Sequence, residues 1–397
     1  MKKFLSLKYL TSISFVALLM SVLAYSTRPL FYIAYHQLEN VRAGSGISLS
    51  QIEFEYNDSF PGNTFYITLN GAYQRLLGLR HVNERYLMDN GHLTYIIPEM
   101  DVTELADNTV AFRDTLAEMD IPFGYVSTLF KINADDKQLP VGVEDFSNEN
   151  TDRYLSILKQ NGVNVLDLRD NVKEQGLDHY SLYFRTDHHW LPETGFWAYT
   201  QIVSWLESLD ESYAVDPAIT DPDNYNYTFY ENIFCGSAGR RVGPLYAGVD
   251  DFTVISPKFE TMLTHIVPEY EINRQGSYDQ ALLFPEKLTN GDPLQSTVYG
   301  TYLCKDASQA FITNLSGQEA LDVQSRPKKL IILKDSNALV VAPYLALSYD
   351  EICLVDLRLF GGNFLEFIQD YQPDMVLALY NPGAFETHNT SMFNFIR

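Results

Sequence analysis

Three apolar segments near the C-terminus constrain the fold more than any other feature of this sequence. KKLIILKDS (328–336), EICLVDLR (351–358) and MVLALYN (375–381) are nearly unbroken runs of apolar residues, and the segments between them, 338–347 and 363–371, have helical spacing. Apolar strands that alternate with helices are typical of a parallel sheet covered on both faces. We therefore predict an open three-layer α/β/α fold with a mostly parallel sheet and functional residues on loops at the carboxyl ends of strands.

The same alternation is present earlier in the chain and is interrupted once. Helices are predicted over 102–120 and 148–162, and a third begins near Pro192 and includes 196–209. Strands are predicted over 65–69, within 92–97, and over 121–130 and 163–168. Residues 212–327 break this rhythm, because they are rich in Tyr, Asp, Asn, Pro and Gly and contain only short β-like pieces. We interpret this segment as a β-rich insertion.

The N-terminus has the pattern of a segment that enters a membrane. Lys2, Lys3 and Lys8 precede an apolar run from 10 to 25 that contains no charged residue. We favour a transmembrane anchor over residues 1–30, with a cleaved signal peptide as the alternative because Val22-Leu23-Ala24 would suit a signal peptidase. In either case the rest of the chain lies outside the cytoplasm. Residues 31–60 are then a linker and 61–397 the α/β domain.

Charge excludes some partners. The chain has 51 acidic and 28 basic residues, a net charge of −23, so the body of the protein repels nucleic acid and anionic lipid. Its three cysteines have no C-x-x-C spacing typical of zinc or redox sites. We predict no nucleic-acid partner and no cofactor.

The segment LKDSNA (333–338) places Ser336 between a buried strand and a helix. A serine in this position lies near free backbone N–H groups that stabilise a developing oxyanion, as an acyl-transfer nucleophile requires. The alternative is that Ser336 only caps the helix, which is the commonest role of serine at such a junction.

The segment RTDHHWLP (185–192) contains an acid beside two histidines. If it is extended, Asp187 and His189 point to one side and His188 to the other. His189 would then be the general base for Ser336, and Asp187 would orient it. A zinc site and a polar surface turn are the alternatives. Zinc is disfavoured because neighbouring histidines on opposite faces do not readily bind one ion, and we predict no metal.

The segment FCGSAGRRVG (234–243) combines three glycines with Arg240 and Arg241. In so acidic a chain these arginines, together with Arg185, are candidates for binding an anionic or polyhydroxy substrate. Pairing with nearby acids such as Asp250 or Asp251 is the alternative.

Together these motifs resemble the DHHW proteins, a bacterial family related to the SGNH hydrolase-like domain of alginate O-acetyltransferases. The similarity extends from about 65 to 381 and includes NGAYQRLLGLRHVN (70–83), DHHWLPETG (187–195) and GSAGRRVGPLYAGVDDF (236–252). In the alginate acetyltransferase group an Asp-x-His pair precedes the serine. The resemblance therefore implies an SGNH hydrolase-like fold in which Asp187, His189 and Ser336 form a triad.

The resemblance also implies oxyanion donors and a function. SGNH-type sites use a glycine and an asparagine on later loops, and Gly361 or Gly362 and Asn381 stand where these would fall. One departure is that the sequence has Lys334 where the family pattern GDS has glycine, which puts the geometry of the oxyanion site in question.

The implied activity is O-acetylation of an extracytoplasmic polysaccharide through an acyl-serine. A membrane-bound O-acyltransferase that supplies acetyl groups is the implied partner. An acetyl esterase with the same triad and a non-catalytic glycan-binding or assembly protein, suggested by 27 tyrosines and 24 phenylalanines, are the alternatives.

Overall fold

The structure, a computed structural model, describes residues 7–42, 47, 49–60, 62–288, 294, 297–316 and 329–396. Its helices are α1 Leu7–Ser26, α2 Arg28–Arg42, α3 Leu49–Ser59, α4 Asn63–Leu76, α5 Thr103–Ala117, α6 Ser147–Gln160, α7 Leu168–Glu174, α8 Pro192–Leu209, α9 Pro217–Thr220, α10 Ser237–Val242, α11 Pro244–Ala247, α12 Tyr278–Leu282, α13 Ala342–Ser348 and α14 Phe364–Tyr371. Its strands are β1 His81–Val82, β2 Arg85–Leu87, β3 Leu93–Thr94, β4 Phe123–Ser127, β5 Asn164–Asp167, β6 Tyr225–Phe234, β7 Asp250–Pro257, β8 Leu263–Val267, β9 Ile272–Gly276, β10 Gln309–Asn314, β11 Lys329–Lys334, β12 Glu351–Val355 and β13 Met375–Tyr380.

The main sheet has eight strands in the order β5-β4-β13-β11-β12-β10-β8-β9. The first five strands are parallel, and β10, β8 and β9 continue the sheet with antiparallel pairing. The predicted α/β fold is therefore confirmed. The segment predicted as an insertion extends this sheet with three strands and adds the separate β6–β7 pair.

The central strand β11 explains why the sheet is covered on both faces. Leu330, Ile331, Ile332 and Leu333 are all fully buried. Leu330 and Ile332 belong to the apolar core that includes α8 and α13, whereas Ile331 and Leu333 belong to the core that includes α5, α6 and α14. Since burial of one such side chain contributes about 1.5–3 kcal/mol, the unbroken apolar run fixes three layers.

One predicted strand has a different structure. Residues 65–69 lie inside α4, which continues through Asn70 and Gly71. The local pattern did not separate a short strand from a helix, and tertiary packing decides, because Gly71 allows α4 to lie directly against the backbone of Val242 in α10. The strand predicted within 92–97 is present as Leu93–Thr94.

The N-terminal part of the described chain is helical. Tyr9–Glu39, which includes most of α1 and α2, is long and apolar enough to cross a membrane, judged by length and composition. The segment 31–60, predicted as a linker, contains most of α2 and all of α3. The proposed domain boundaries stay predictions.

The buried His265 in β8 leads us to expect a loss of stability in acid. Burial lowers its pKa from 6.5 to about 4, so between these values the unfolded chain binds a proton that the folded chain does not. Stability therefore falls as the pH falls through this window, by about 2 kcal/mol at about pH 5 from this residue alone. We expect the Tm of His265→Leu to fall less than that of the wild type between about pH 8 and about pH 5. Equal falls would contradict this account.

Candidate active site

The end of β11 presents Ser336 to a cleft. Asp335 caps the 3-10 helix Ser336–Val340, since its carboxylate accepts the N–H of Asn337 at 2.8 Å and also that of Asn381 at 2.6 Å. The capping role therefore belongs to Asp335 and not to Ser336. The Ser336 side chain is half-buried, and its hydroxyl is available to a partner outside the helix.

The segment RTDHHW is a bent loop, so the expectation of an extended strand is wrong. Tyr183 and Trp190 form an isolated antiparallel bridge, and the chain between them turns. Asp187 is the cause, because its Oδ1 accepts the backbone N–H of His189 at 2.9 Å, as aspartate does in tight turns. The two histidines consequently lie side by side, with ring centroids 3.8 Å apart.

The loop brings three predicted residues into one hydrogen-bonded line. His189 Nδ1 lies 2.5 Å from Asp187 Oδ1, and His189 Nε2 lies 2.7 Å from Ser336 Oγ. If Nδ1 carries the proton, Nε2 accepts the serine hydroxyl hydrogen. This arrangement allows the imidazole to remove the proton of Ser336 as the oxygen attacks an electrophile.

Asp187 is buried and remains ionised. Burial alone would raise the pKa of its carboxyl, but the neighbouring His189 and His188 and the hydrogen bonds from His189 hold this pKa well below its usual range. Oδ2 also accepts the backbone N–H of Ser237 at 2.5 Å. A carboxylate in this state stabilises an imidazolium formed at His189.

Glycines in the segment FCGSAGRRVG allow α10 to approach Asp187. A Cβ at Gly236 would lie 2.2 Å from the Cβ of Asp187, and a Cβ at Gly239 would lie 2.9 Å from that of Thr186. The N–H of Gly239 donates to the carbonyl of Thr186 at 2.7 Å. These glycines are therefore explained by close packing of α10 on the histidine loop.

The buried Lys131 holds the histidine loop from the other side. Its ammonium donates to the carbonyl oxygens of Leu93 at 2.7 Å, Arg185 at 3.1 Å and Asp187 at 2.6 Å. Burial lowers the pKa of Lys131 to about 7, although Asp250 and Asp187 oppose this. Sequence reasoning missed this residue, since a lysine after a strand gives no sign that its ammonium is buried.

Lys334 occupies, without backbone strain, the position that glycine has in the GDS pattern. It is the last residue of β11 and is not among the residues with positive φ, so a glycine is not needed there. Its side chain is buried and pairs with Asp306, while Asp356 lies 3.8 Å away and also binds Arg358 at 2.6 Å. This ion-pair cluster supports the strand end from which Ser336 follows.

Two further contacts complete the surroundings of the histidines. Tyr299, from the inserted segment, stacks on His189 with ring centroids 4.1 Å apart and an interplanar angle of 19°. His188 Nδ1 lies 2.9 Å from Ser237 Oγ, and burial together with His189 lowers the pKa of His188 to about 3. His188 is therefore neutral and serves as a neighbour of the His189 ring.

The metal alternative is weakened by the hydrogen bonds of the same atoms. Asp187, His188 and His189 offer ligand atoms within 4.8 Å of one another. Both ring nitrogens of His189 are, however, already paired with Asp187 and Ser336. An ion would have to displace these contacts, so the arrangement suits proton transfer better than metal binding.

None of the predicted oxyanion donors makes a hydrogen bond to Ser336 within the part of the chain that the structure describes. Asn381 Nδ2 donates to the carbonyl of Leu129 at 2.5 Å, and its Oδ1 accepts the N–H of Gly383 at 2.7 Å, so this side chain caps the turn after β13. Gly361 and Gly362 are exposed in the loop after β12. Their role stays a prediction.

The three candidate arginines have different surroundings. Arg185 Nε lies 3.3 Å from Asp250 Oδ1, and Arg241 Nη1 lies 3.1 Å from Glu84 Oε2. The backbone N–H of Arg240 donates to the carbonyl of Gly236 at 2.8 Å, and its side chain has no hydrogen bond or ion pair within the part of the chain that the structure describes. Arg241 lines a cleft of about 770 Å³ that also borders His188, Ser237, Arg85 and Arg358.

The comparisons with known proteins agree with this fold. Residues 108–218 match the family model ALGX, described as the SGNH hydrolase-like domain of acetyltransferase AlgX, and this match includes Asp187 and His189 but not Ser336. No curated protein gives a significant match. The predicted resemblance to an SGNH hydrolase-like domain is confirmed.

Solved structures extend the similarity over most of the chain. Bacillus cereus PatB1 is 22% identical, with a TM-score of 0.63 and coverage of 78% of this chain and 98% of that chain. PatB1 with a sulfonyl adduct is 20% identical, with a TM-score of 0.61 and coverage of 78% and 97%. A DHHW family protein from Eubacterium siraeum is 19% identical, with a TM-score of 0.57 and coverage of 80% and 97%. At these identities the similarity shows the fold.

Replacing Lys131 by methionine should loosen the histidine loop. The change keeps the length of the side chain but takes the ammonium donor from the buried carbonyl groups of Leu93 and Asp187, whereas the Arg185 carbonyl keeps the N–H of Leu93. We therefore expect a loss of about 2–4 kcal/mol in the free energy of unfolding. Lys159→Met, at an exposed position in the last turn of α6, is the control and should cost at most about 1 kcal/mol. Urea titrations of both variants measure these losses, and equal effects would refute the role of Lys131.

Proposed function

We propose that this chain, which carries an SGNH hydrolase-like domain, transfers acyl groups through a covalent acyl-serine at Ser336. The observation that carries this proposal is the hydrogen-bonded line from Asp187 through His189 to Ser336. A base that contacts both an ionised carboxylate and a serine hydroxyl is the arrangement that activates serine as a nucleophile.

The contacts suggest one order of steps. Ser336 Oγ attacks the carbonyl carbon of an acyl donor while His189 Nε2 takes the hydroxyl proton, and Asp187 stabilises the resulting imidazolium. The tetrahedral intermediate collapses as His189 returns the proton to the leaving oxygen, which leaves an acyl ester on Ser336. An acceptor hydroxyl then gives its proton to His189 and attacks this ester. The bond between the acyl carbon and Ser336 Oγ breaks as His189 passes that proton to Oγ, which restores the serine. Backbone N–H groups at Gly361 or Gly362 are the proposed donors to the oxyanion.

We infer that the acyl group is acetyl and that the acceptor is a polysaccharide outside the cytoplasm. The description of the matched family model as that of an acetyltransferase supports the first part. The apolar stretch Tyr9–Glu39 supports attachment to a membrane, and the three lysines before residue 9 support the placement of the α/β domain outside. A membrane-bound O-acyltransferase that presents acetyl groups is the proposed partner.

An acetyl esterase remains the second candidate because water could replace the sugar hydroxyl. Ser336 is half-buried, so solvent reaches it in the absence of an acceptor, and this observation supports the esterase as a candidate. The two activities share every step up to the acyl-serine.

Ser336→Ala should abolish acyl transfer. With an aryl acetate as donor and an oligosaccharide as acceptor, we expect acetylated product to form at least about 10³-fold more slowly than with the wild type. Ser208→Ala, an exposed serine on α8, is the control and should be unaffected. In the wild type, mass mapping should find one acetyl group on the peptide that contains Ser336.

The same assay separates the candidates. Acetylated oligosaccharide argues for transfer, and acetate release that does not respond to the acceptor argues for the esterase. If Ser336→Ala kept full cellular function, both the acetyltransferase and the esterase would be excluded. The non-catalytic glycan-binding or assembly role would then be the remaining hypothesis.

We propose that Arg185, Arg240 and Arg241 bind the substrate, and Arg241 gives the sharpest test. It lines the cleft beside His188, where a guanidinium would bind a carboxylate or hydroxyl groups of a sugar. We expect Arg241→Gln to raise KM for an acidic oligosaccharide about tenfold, which corresponds to about 1.4 kcal/mol of lost binding. Arg113→Gln makes the same charge change beside Asp114 on α5 and is the control. Equal KM values for both variants would exclude Arg241 from the binding site.

A further inference from the structure

A row of apolar side chains on α4 is exposed along one side of the helix. The exposed fractions are 64% for Phe65, 55% for Leu69, 58% for Tyr73 and 83% for Leu76. Steps of four, four and three residues place these side chains on one helix face. A continuous apolar face that the other described residues leave uncovered indicates an interaction surface.

The opposite side of α4 is packed so closely that the helix cannot turn this face inward. A Cβ at Gly71 would lie 1.9 Å from the carbonyl oxygen of Val242, and a Cβ at Gly243 would lie 2.7 Å from the Cα of Thr68. Leu245 of α11, which contacts α4, is itself 65% exposed. The apolar face therefore belongs to a rigid part of the domain.

The charge of this region differs from that of the chain as a whole. The segment 63–83 contains Arg75 and Arg80 and no acidic residue, although the chain has 51 acidic residues. Arg80 pairs with Asp89. The strongly acidic body would repel anionic lipid headgroups, whereas the α4 segment carries no carboxylate that would do so.

We propose that α4 lies in the lipid–water interface, with its apolar row in the outer leaflet of a bilayer. This proposal rests on the proposed membrane anchor. Asn63 follows Glu39, the end of the candidate span, by 63 − 39 = 24 residues, a tether of at most about 80 Å when fully extended. A helix with an apolar face that contains Phe and Tyr beside Leu is typical of interfacial helices.

Docking of α4 would also orient the candidate active site. The helix packs on α10, and the first residue of α10, Ser237, donates its N–H to Asp187. The bilayer and the histidine loop are thus connected through two packed helices. A site fixed in this way stands at a constant height and angle above the membrane that carries the anchor.

The experiment places environment-sensitive fluorophores on single cysteines of the full-length protein. Leu69→Cys reports on α4, Val16→Cys on the candidate span and Val141→Cys on a fully exposed loop position. Cys304 is replaced by serine, and the buried Cys235 and Cys353 are kept. The protein is reconstituted into vesicles of phosphatidylcholine and phosphatidylglycerol, with or without a doxyl quencher on the acyl chains.

We expect the lipid quencher to reduce fluorescence at positions 16 and 69 and to leave position 141 unchanged. Tyr73→Cys provides a second reporter on the same face. Quenching at position 16 without quenching at 69 and 73 would overturn the proposal while the anchor stands. A fluorescence change at 69 and 73 that depends on protein concentration and not on the quencher would show that a second copy covers α4, and would also overturn it.

Quenching at 69 and 73 without quenching at 16 would support the interfacial helix and refute the anchor. None of these results depends on acyl transfer, so a failure of the proposed activity is detected separately.

Discussion

The site depends on one buried ionised carboxylate, that of Asp187. An isolated carboxylate in the protein interior is strongly disfavoured, so it has to receive hydrogen bonds. The backbone N–H groups of His189 and Ser237 and the imidazole of His189 supply them. Each of these donors would reduce the stability of the fold by about 1–3 kcal/mol if it were buried without this acceptor. The need to pair them explains why two segments that are distant in sequence meet at Asp187.

The parallel half of the sheet determines where those segments meet. Ser336 follows β11, Arg358 follows β12 and Lys131 follows β4. These strands are parallel, with β13 between β4 and β11, and they end at the same edge of the sheet. This half of the fold was predictable, because unbroken apolar strands leave few alternatives to a covered parallel sheet. The helical state of 65–69 was not, because it depends on packing at Gly71 against a segment about 170 residues away in sequence.

The spacing Asp-x-His identified the histidine that contacts Ser336 although the assumed conformation was wrong. In an extended strand the two side chains share a face. In the observed turn, Asp187 Oδ1 accepts the backbone N–H of His189 and also lies beside its Nδ1. The same spacing thus pairs acid and base in both conformations. Lys131 and Tyr299 leave no such local pattern, because their contacts join residues 56 and 110 positions apart (187 − 131 and 299 − 189).

The inserted segment contributes electrostatically as well as structurally. Tyr299 lies face to face with His189, so its ring covers one side of the imidazole and limits its rotation. When His189 accepts a proton, the cation lies over the electron-rich face of this ring, an interaction that contributes about 0.5–2 kcal/mol. In the proposed mechanism the protonated base forms only on the way to the acyl-serine, so this contact and the Asp187 carboxylate would stabilise the transition state and not the resting state.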